Sequence, residues 1–506
     1  MRTPLNWVLV LLGLLLVYFL GLQHLDTLPL VMWDEAHYAN NALEAWRDGH
    51  WWPIRYEGKP DFWNLKPPLL VWAKAGLMYV LGPSVLAVRL PTVLFGLLTL
   101  GLLAWGLRRF AHHWWPGVLA GWVLWVQPGY NGLHGLRTGD FDVPLMFCIL
   151  GYTLAFSWAF STQGFRTRAF ALGVGAVLLG FWFKTVAVFL PGLGLVGLVG
   201  ALPAHDRWAA RTWAWVLGGL AALGLSIGLY FWLHEAAKPG YWAEFQRMEL
   251  GRYKLAAPPE DGVPGWRLAL WNLKEALWGW GGLALVPAAW AAWPALAQRL
   301  HLPKLNPATQ QLTWLCVGNG LVLVGLLVLG NQINAWYHMP AYCLWAVAAG
   351  LGFWQLGVGV GSMFGKPWAA VAVGLWLAGP SAAMIRQNHA PKPSLWIEEQ
   401  LGVALTHVAI GLQPITPLRI WKPDYQPILR FYAAQQVYQR GLDWDEWPSH
   451  LGMENFPAGH YLLVYHSNVL DEAYHRFGPP LRTYTTAPDR VFYLFYHAPA
   501  QSANSD

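Results

Sequence analysis

Charge is scarce in this chain. Of its 506 residues only 12% are Asp, Glu, Lys or Arg, against about 25% in a soluble domain, while 56% are hydrophobic. That balance excludes an ordinary water-soluble globule and implies a membrane protein. Cysteine is scarcer still. Cys148, Cys316 and Cys343 all sit in apolar segments without metal-type spacing, so they read as buried, inert thiols. No Lys/Arg-rich run offers a nucleic-acid groove, and the net charge of +6 is better read through topology. No internal repeat is evident, which counts against a transporter built from paired repeats. No small-residue cleavage site follows Asn6 to Leu22, so that segment reads as an uncleaved first helix rather than a signal peptide. Tryptophan, by contrast, is abundant at 35 residues, many near the ends of apolar runs, where an indole anchors at the membrane interface.

Apolar runs of roughly 17–25 residues, the length of a membrane helix, number about eleven. They centre on 5–23, 84–107, 115–130, 143–161, 168–183, 185–202, 212–233, 273–296, 312–330, 337–357 and 367–384. Alternate connections are basic: Arg108 and Arg109, Arg166 and Arg168, Arg207 and Arg211, Arg299 and Lys304, then Lys366. The opposite connections carry Asp34, Glu35, Asp140, Asp142, Glu235, Glu244, Glu260 and Asp261. The positive-inside rule therefore places the N-terminus in the cytoplasm, and an odd count places the C-terminus outside. From about Gln387 the long apolar runs cease. The expected organisation is an α-helical polytopic membrane domain over 1–386 and a small extracytoplasmic α/β domain over 387–506. In the latter, Ser394 to Ile410 reads as an amphipathic helix, Tyr461 to Tyr465 and Val491 to Tyr496 as strands, and Leu470 to Phe477 as a helix.

The informative charges cluster on the acidic side. The first outer loop opens M-W-D-E-A-H-Y-A at Met32. Asp34 and Glu35 suit a first helical turn, Ala36, Ala39, Leu43 and Trp46 give one apolar face, and Gly49 ends it. A helix lying on the membrane surface is expected. Alone, the two acids serve equally well as a cap and a first-turn charge. N-L-K-P-P-L-L follows at Asn64. Proline favours a helix start near Pro68, running to Tyr79, and leaves Lys66 beside free backbone N–H groups, a recipe for binding phosphate. A lysine reaching for lipid headgroups is the plainer alternative. In the second outer loop, H-G-L-R-T-G-D-F-D-V-P-L, Arg137, Asp140 and Asp142 face the first acidic pair as parts of a polar site. Carboxylates suit hard cations, so a divalent metal between the loops is compatible with these residues, which do not decide whether one is needed. Lys184, between two apolar stretches, is costly in lipid and should face a polar cavity. Tyr337 and His338 stand at the mouth of a span, where interfacial aromatics are common. Cations that hold a lipid phosphate and a carboxylate that takes a hydroxyl proton point to group transfer.

These residues resemble the integral-membrane glycosyltransferases of the C-superfold, in the branch of the lipid A aminoarabinose transferases and protein O-mannosyltransferases. The motifs are W-D-E-A-H-Y-A at 33–39, L-K-P-P-L at 65–69, A-V-R-L-P at 87–91, R-T-G-D-F-D-V-P-L at 137–145 and the Lys184 segment, with P-I-L-R-F-Y-A at 427–433 a weaker match. The resemblance implies a polyprenyl-phosphate sugar donor, a lipid, glycan or protein acceptor, and inversion at the anomeric carbon. It also implies a site on the periplasmic face of a bacterial inner membrane. Asp34 would be the base or acceptor-orienting acid, with Glu35 beside it and Asp140 or Asp142 as the second-loop acid. Lys66 and Lys184 would hold the donor phosphate, helped by Arg137, Tyr337 and His338. Relatives often carry a lysine shortly before the tyrosine of the Tyr337 segment, where Ile333 and Asn334 stand here. A transporter or flippase of a lipid-linked substrate is the rival reading. The C-terminal domain and the loop from His234 to Trp271 are candidates for acceptor selection.

Overall fold

The computed structural model describes residues 13–15, 17–251, 302–329, 334–364, 366–389, 400–411, 417–422, 426–487 and 490–499, with isolated residues at 266, 267, 270, 271 and 274. The expected span at 273–296 apart from residue 274, the first part of that at 5–23, and most of the 252–271 loop lie outside them. Helices of two turns or more are α1 (Asp34–Asp48), α2 (Leu69–Leu81), α3 (Val85–Ala111), α4 (Trp115–Trp125), α5 (Asp142–Ala159), α6 (Thr167–Lys184) and α7 (Ala210–Ala237). After these come α8 (Pro307–Leu329), α9 (Met339–Phe364), α10 (Lys366–His389), α11 (Leu401–Gly411), α12 (Pro427–Arg440) and α13 (Leu470–Phe477).

Six stretches among the described residues are long and apolar enough to cross a membrane: Val85–Ala111, Asp142–Ala159, Thr167–Val188, Ala210–Ala237, Pro307–Val328 and Trp336–Met363. The protein is a multi-pass membrane protein. Two other expected spans take different forms. The 115–130 run is a helix only to Trp125, because Pro128 cannot continue the hydrogen-bond ladder and biases Gln127 to an extended conformation. The 185–202 run is wound as 3₁₀ turns, Thr185–Val188 and Leu190–Ala201. Its Pro191 and four glycines remove the propensity for an α-helix. The membrane helices are drawn together by small residues. A Cβ at Gly350 of α9 would lie 2.4 Å from the Pro116 carbonyl of α4, so the two backbones touch where only glycine fits.

α1 and α2, at 15 and 13 residues, are shorter than a membrane span. Their starts and stops are close to those expected: α1 ends on Gly49 at φ 69°, and α2 begins after Pro68. However, α1 is not a surface helix with one wet face. Every residue from Glu35 to Ala45 is buried, because α2 and α12 cover it and all three share one apolar core.

The C-terminal domain is built on a five-stranded sheet. Its strands, numbered after two short hairpins at 55–60 (β1, β2) and 160–165 (β3, β4), are β5 (Leu418–Lys422), β6 (Trp444–Pro448), β7 (His460–Val464), β8 (Arg482–Ala487) and β9 (Arg490–His497). The order is β6-β5-β7-β9-β8. β5 pairs in parallel with β6 and β7, and β9 runs antiparallel to β7 and β8. β7 and β9 are the two expected strands, and α13 has the expected bounds. The C-terminal part of the 394–410 helix is α11, and its first residues fall outside the described ones.

Candidate active site

The first acid stands at a corner. Trp33 has φ 72°, a left-handed conformation that costs a bulky residue energy, and α1 starts at the next residue. Consecutive helical residues point about 100° apart, so Asp34 and Glu35 separate. The Asp34 side chain is 32% exposed. Glu35 is buried and fully engaged. Arg89 donates to its Oε1 at 2.7 Å and its Oε2 at 2.9 Å. The N–H groups of Val31 and Gly139 donate at 2.7 and 2.8 Å. Burial raises the Glu35 pKa, but Arg89 and the two amides more than offset it, so the carboxyl titrates below its ordinary value. Glu35 therefore ties the two loops together, and the geometry gives it no free oxygen for proton transfer.

The second loop carries the partners of Asp34. His134 has φ 59° and stacks on Trp336 at 4.2 Å between ring centroids. Its Nδ1 lies 3.6 Å from Asp34 Oδ2 and bonds Asp140 Oδ2. Asp140 is buried and also accepts from the Phe141 N–H at 2.6 Å. Burial raises its pKa, yet His134, with Lys184 and Lys66 behind it, holds the carboxyl well below the usual range. Burial lowers the His134 pKa, but Asp140 more than compensates and the imidazole titrates higher than normal. Asp34, His134 and Asp140 each offer one ligand atom, all within 4.8 Å of one another. Two carboxylates and an imidazole fit a divalent transition metal better than calcium.

Asp140 is held in place by the peptide before it. The Gly139 N–H donates to Glu35, and its carbonyl accepts from Lys74 Nζ. A Cβ at Gly139 would meet Val88 at 2.7 Å, so only glycine fits between these groups. Lys74, completely buried on α2, was not among the residues expected from the sequence. Burial lowers its pKa to about 8, with Asp140, Glu35 and Asp34 opposing the shift.

Lys66 is positioned by a run of side-chain turns. Asp61 accepts from the N–H groups of Trp63 and Asn64, and Asn64 accepts from the Lys66 N–H at 3.1 Å. Asp61 is itself fixed by His37 at 2.6 Å and Asn41 at 2.8 Å. Burial raises its pKa, but His37, Asn41 and the Asn64 N–H together outweigh that and bring it down to about 2. Lys66 Nζ donates to Tyr38 Oη at 2.5 Å. Lys184 Nζ donates to Asp142 Oδ1 at 2.6 Å and lies 5.7 Å from the Tyr337 ring centroid. A cleft opens beside this pair. It is walled by Leu145, Leu190, Leu323 and Leu327, with Glu249 among them, and ends on Asp142, Lys184 and Tyr337.

The remaining expected residues sit apart from this centre. Arg137 donates to the carbonyls of Gln23 at 2.6 Å and Leu20 at 3.3 Å, which caps the end of the Tyr18–Leu22 turn. Burial and the nearby Arg89 lower its pKa to about 10. Its hydrogen bonds tie the second outer loop to that turn. His338 is buried in the 3₁₀ turn before α9. From that turn, Trp336 rather than His338 stacks on His134.

A partly exposed first-loop acid at the start of α1, a second-loop acid opposite it and a cleft between membrane helices that ends on Lys184 make up the candidate site. Residues 65–232, well under half of the chain, match the family model for dolichyl-phosphate-mannose-protein mannosyltransferase. The chain is similar to the crystal structure of ArnT from Cupriavidus metallidurans bound to undecaprenyl phosphate. The identity is 17%, with 97% of this chain and 98% of that one covered and a TM-score of 0.66. Against the apo state of the same protein the values are 18%, 97%, 98% and 0.63. A search of curated proteins gives no match.

Proposed function

We propose that this protein transfers a sugar from a polyprenyl-phosphate donor to a lipid, glycan or protein acceptor. Transfer takes place on the extracytoplasmic face, where residues 387–506 also lie, with inversion at the anomeric carbon. One observation carries the assignment of the base. Of the four candidate acids, Glu35, Asp140 and Asp142 are buried and Asp34 alone is open to an incoming hydroxyl. Asp34 takes the acceptor proton as the acceptor oxygen bonds to the anomeric carbon. The bond from that carbon to the phosphate oxygen breaks, and the electron pair leaves with the polyprenyl phosphate. Lys66 and Lys184 stabilise the charge on that leaving group. The apolar wall of the cleft beside Lys184 takes the first isoprene units.

His134, itself fixed by Asp140, lies 3.6 Å from the Asp34 carboxylate and orients it. A divalent ion on Asp34, His134 and Asp140 would supply positive charge and polarise the acceptor oxygen. Chelation separates the two cases: loss of transfer in EDTA, restored by Mn²⁺, assigns the ion, and unchanged transfer leaves the role to His134.

The test is a defined bilayer with purified protein, synthetic polyprenyl-phosphate sugars and a panel of acceptors. Transfer is expected with one donor class. Donor binding without transfer to any acceptor would favour the flippase reading instead. Lys66→Ala is expected to raise the donor Kd roughly 10- to 100-fold, the loss of one charge-assisted contact. An unchanged Kd would remove Lys66 from the phosphate site. Lys184→Ala is expected to weaken the donor too, but with a lower Tm, because Asp142 is left buried without its cation.

A further inference from the structure

The helix that presents Asp34 is gripped from two sides. On the membrane side, Arg89 donates to the carbonyls of Leu25, Leu28 and Pro29 at 3.1, 2.8 and 2.6 Å. On the other side, the hydroxyl of Tyr432 in α12 accepts the Leu30 N–H at 2.9 Å. The peptide joining Pro29 to Leu30 is thus fixed at consecutive groups, four residues before Asp34. Nearly two turns into α1, the buried Asn40 donates to the Pro427 carbonyl, the first of α12, at 2.6 Å. Further along, Trp46 meets the Tyr438 ring at 5.5 Å. The grip extends to the loop that leads to Lys66. Glu57, at the tip of the β1–β2 hairpin, bonds Lys422 at 3.3 Å and Arg430 at 3.1 Å, and Glu446 balances both cations.

From this geometry we infer that the C-terminal domain is a clamp on the helix that carries Asp34, with Tyr432 as the positioning residue, rather than an independent reader of the acceptor. The inference rests on the transferase reading for its kinetic consequence but not for its structural one. An acceptor-reading module would need an exposed face and tolerance to movement. Here the domain spends α12 on burying α1, and its ion cluster on the first-loop hairpin. The Tyr432 ring also lies so close to Gly402 of α11 that a Cβ there would be 2.6 Å away, so the phenol cannot swing out without disturbing its own domain. Fixing Leu30 before the helix and Asn40 nearly two turns into it holds the start of α1, and so the distance from Asp34 to His134.

The experiment compares the full-length wild type with Tyr432→Phe and Asn40→Ala in nanodiscs, by amide hydrogen exchange and by steady-state kinetics. In Tyr432→Phe, exchange at residues 30–37 is expected to rise roughly three- to tenfold, the loss of one hydrogen bond. At the same time kcat should fall by a similar factor, with the donor KM unchanged. Asn40→Ala should show the same pattern more weakly. Unchanged exchange at 30–37 in both variants would overturn the clamp. A rise in acceptor KM with kcat intact would overturn it in favour of acceptor reading. If the wild type transfers no sugar at all, the transferase reading fails, and the exchange arm still decides the clamp.

Discussion

Asp34→Asn is expected to reduce transfer by about 10²- to 10⁴-fold, the usual contribution of a general base, while leaving donor affinity and Tm almost untouched. Both halves follow from position. Asn is as good as Asp at the start of a helix, and the lost charge–dipole interaction there is worth only about 0.3–1 kcal/mol at an exposed site. The carboxylate makes no contact with Lys66, whose Nζ is held by Tyr38, so the phosphate site should stay intact. Single-turnover transfer with labelled donor, alongside equilibrium donor binding, checks the split. Full activity in the variant would remove the base from Asp34. A matched loss of donor binding would show that Asp34 orients the donor instead. Glu35→Gln is the natural contrast, since its effect should fall on stability first.

The candidate site was legible where charge interrupts an apolar chain. Asp34, Lys66, Asp140, Asp142 and Lys184 were all conspicuous because burying an ionised group in lipid is too costly to be incidental, and the fold brings all five to one end of the helix bundle. What stayed hidden was direction. Sequence puts Arg137 three residues from Asp140 but cannot tell that its guanidinium turns to the carbonyls of Leu20 and Gln23. Asp34 and Glu35 are neighbours in sequence, and only the start of α1 at Trp33 decides which one faces the core. Lys74 was concealed within L-L-V-W-A-K-A, an apolar run whose one lysine looks like a residue reaching for headgroups. Arg89, quoted within A-V-R-L-P, carried no sign of its partner 54 positions away. The burial of α1 under α12 depends on contacts across nearly 400 residues, which no local periodicity reports. Conversely, α13, β7 and β9 were readable because their patterns are local.

Arg89→Met is expected to destabilise the protein by about 3–5 kcal/mol, the cost of leaving a buried charge without its partner. Glu35 is buried and cannot turn to water. Removing the guanidinium also leaves the carbonyls of Leu25, Leu28 and Pro29 without a donor. The pH dependence has a definite sign. Because the folded pKa of Glu35 is depressed, the stabilisation it provides is complete above its unfolded value, about 4.3, and is lost as pH falls through the lower folded value. Without Arg89, burial dominates and the folded pKa rises, so Glu35 protonates on folding and the variant gains relative stability as pH is lowered. Thermal unfolding in detergent from pH 4 to 8 should therefore show the gap between wild type and Arg89→Met narrowing at the acidic end. The double variant Arg89→Met/Glu35→Gln should recover part of the loss at pH 7, because it removes the stranded charge though not the open carbonyls. Recovery of stability without recovery of transfer would show that the pair's task is to hold Gly139, and with it Asp140, opposite Asp34. A gap that stays constant with pH would mean that Glu35 is not the group that Arg89 neutralises.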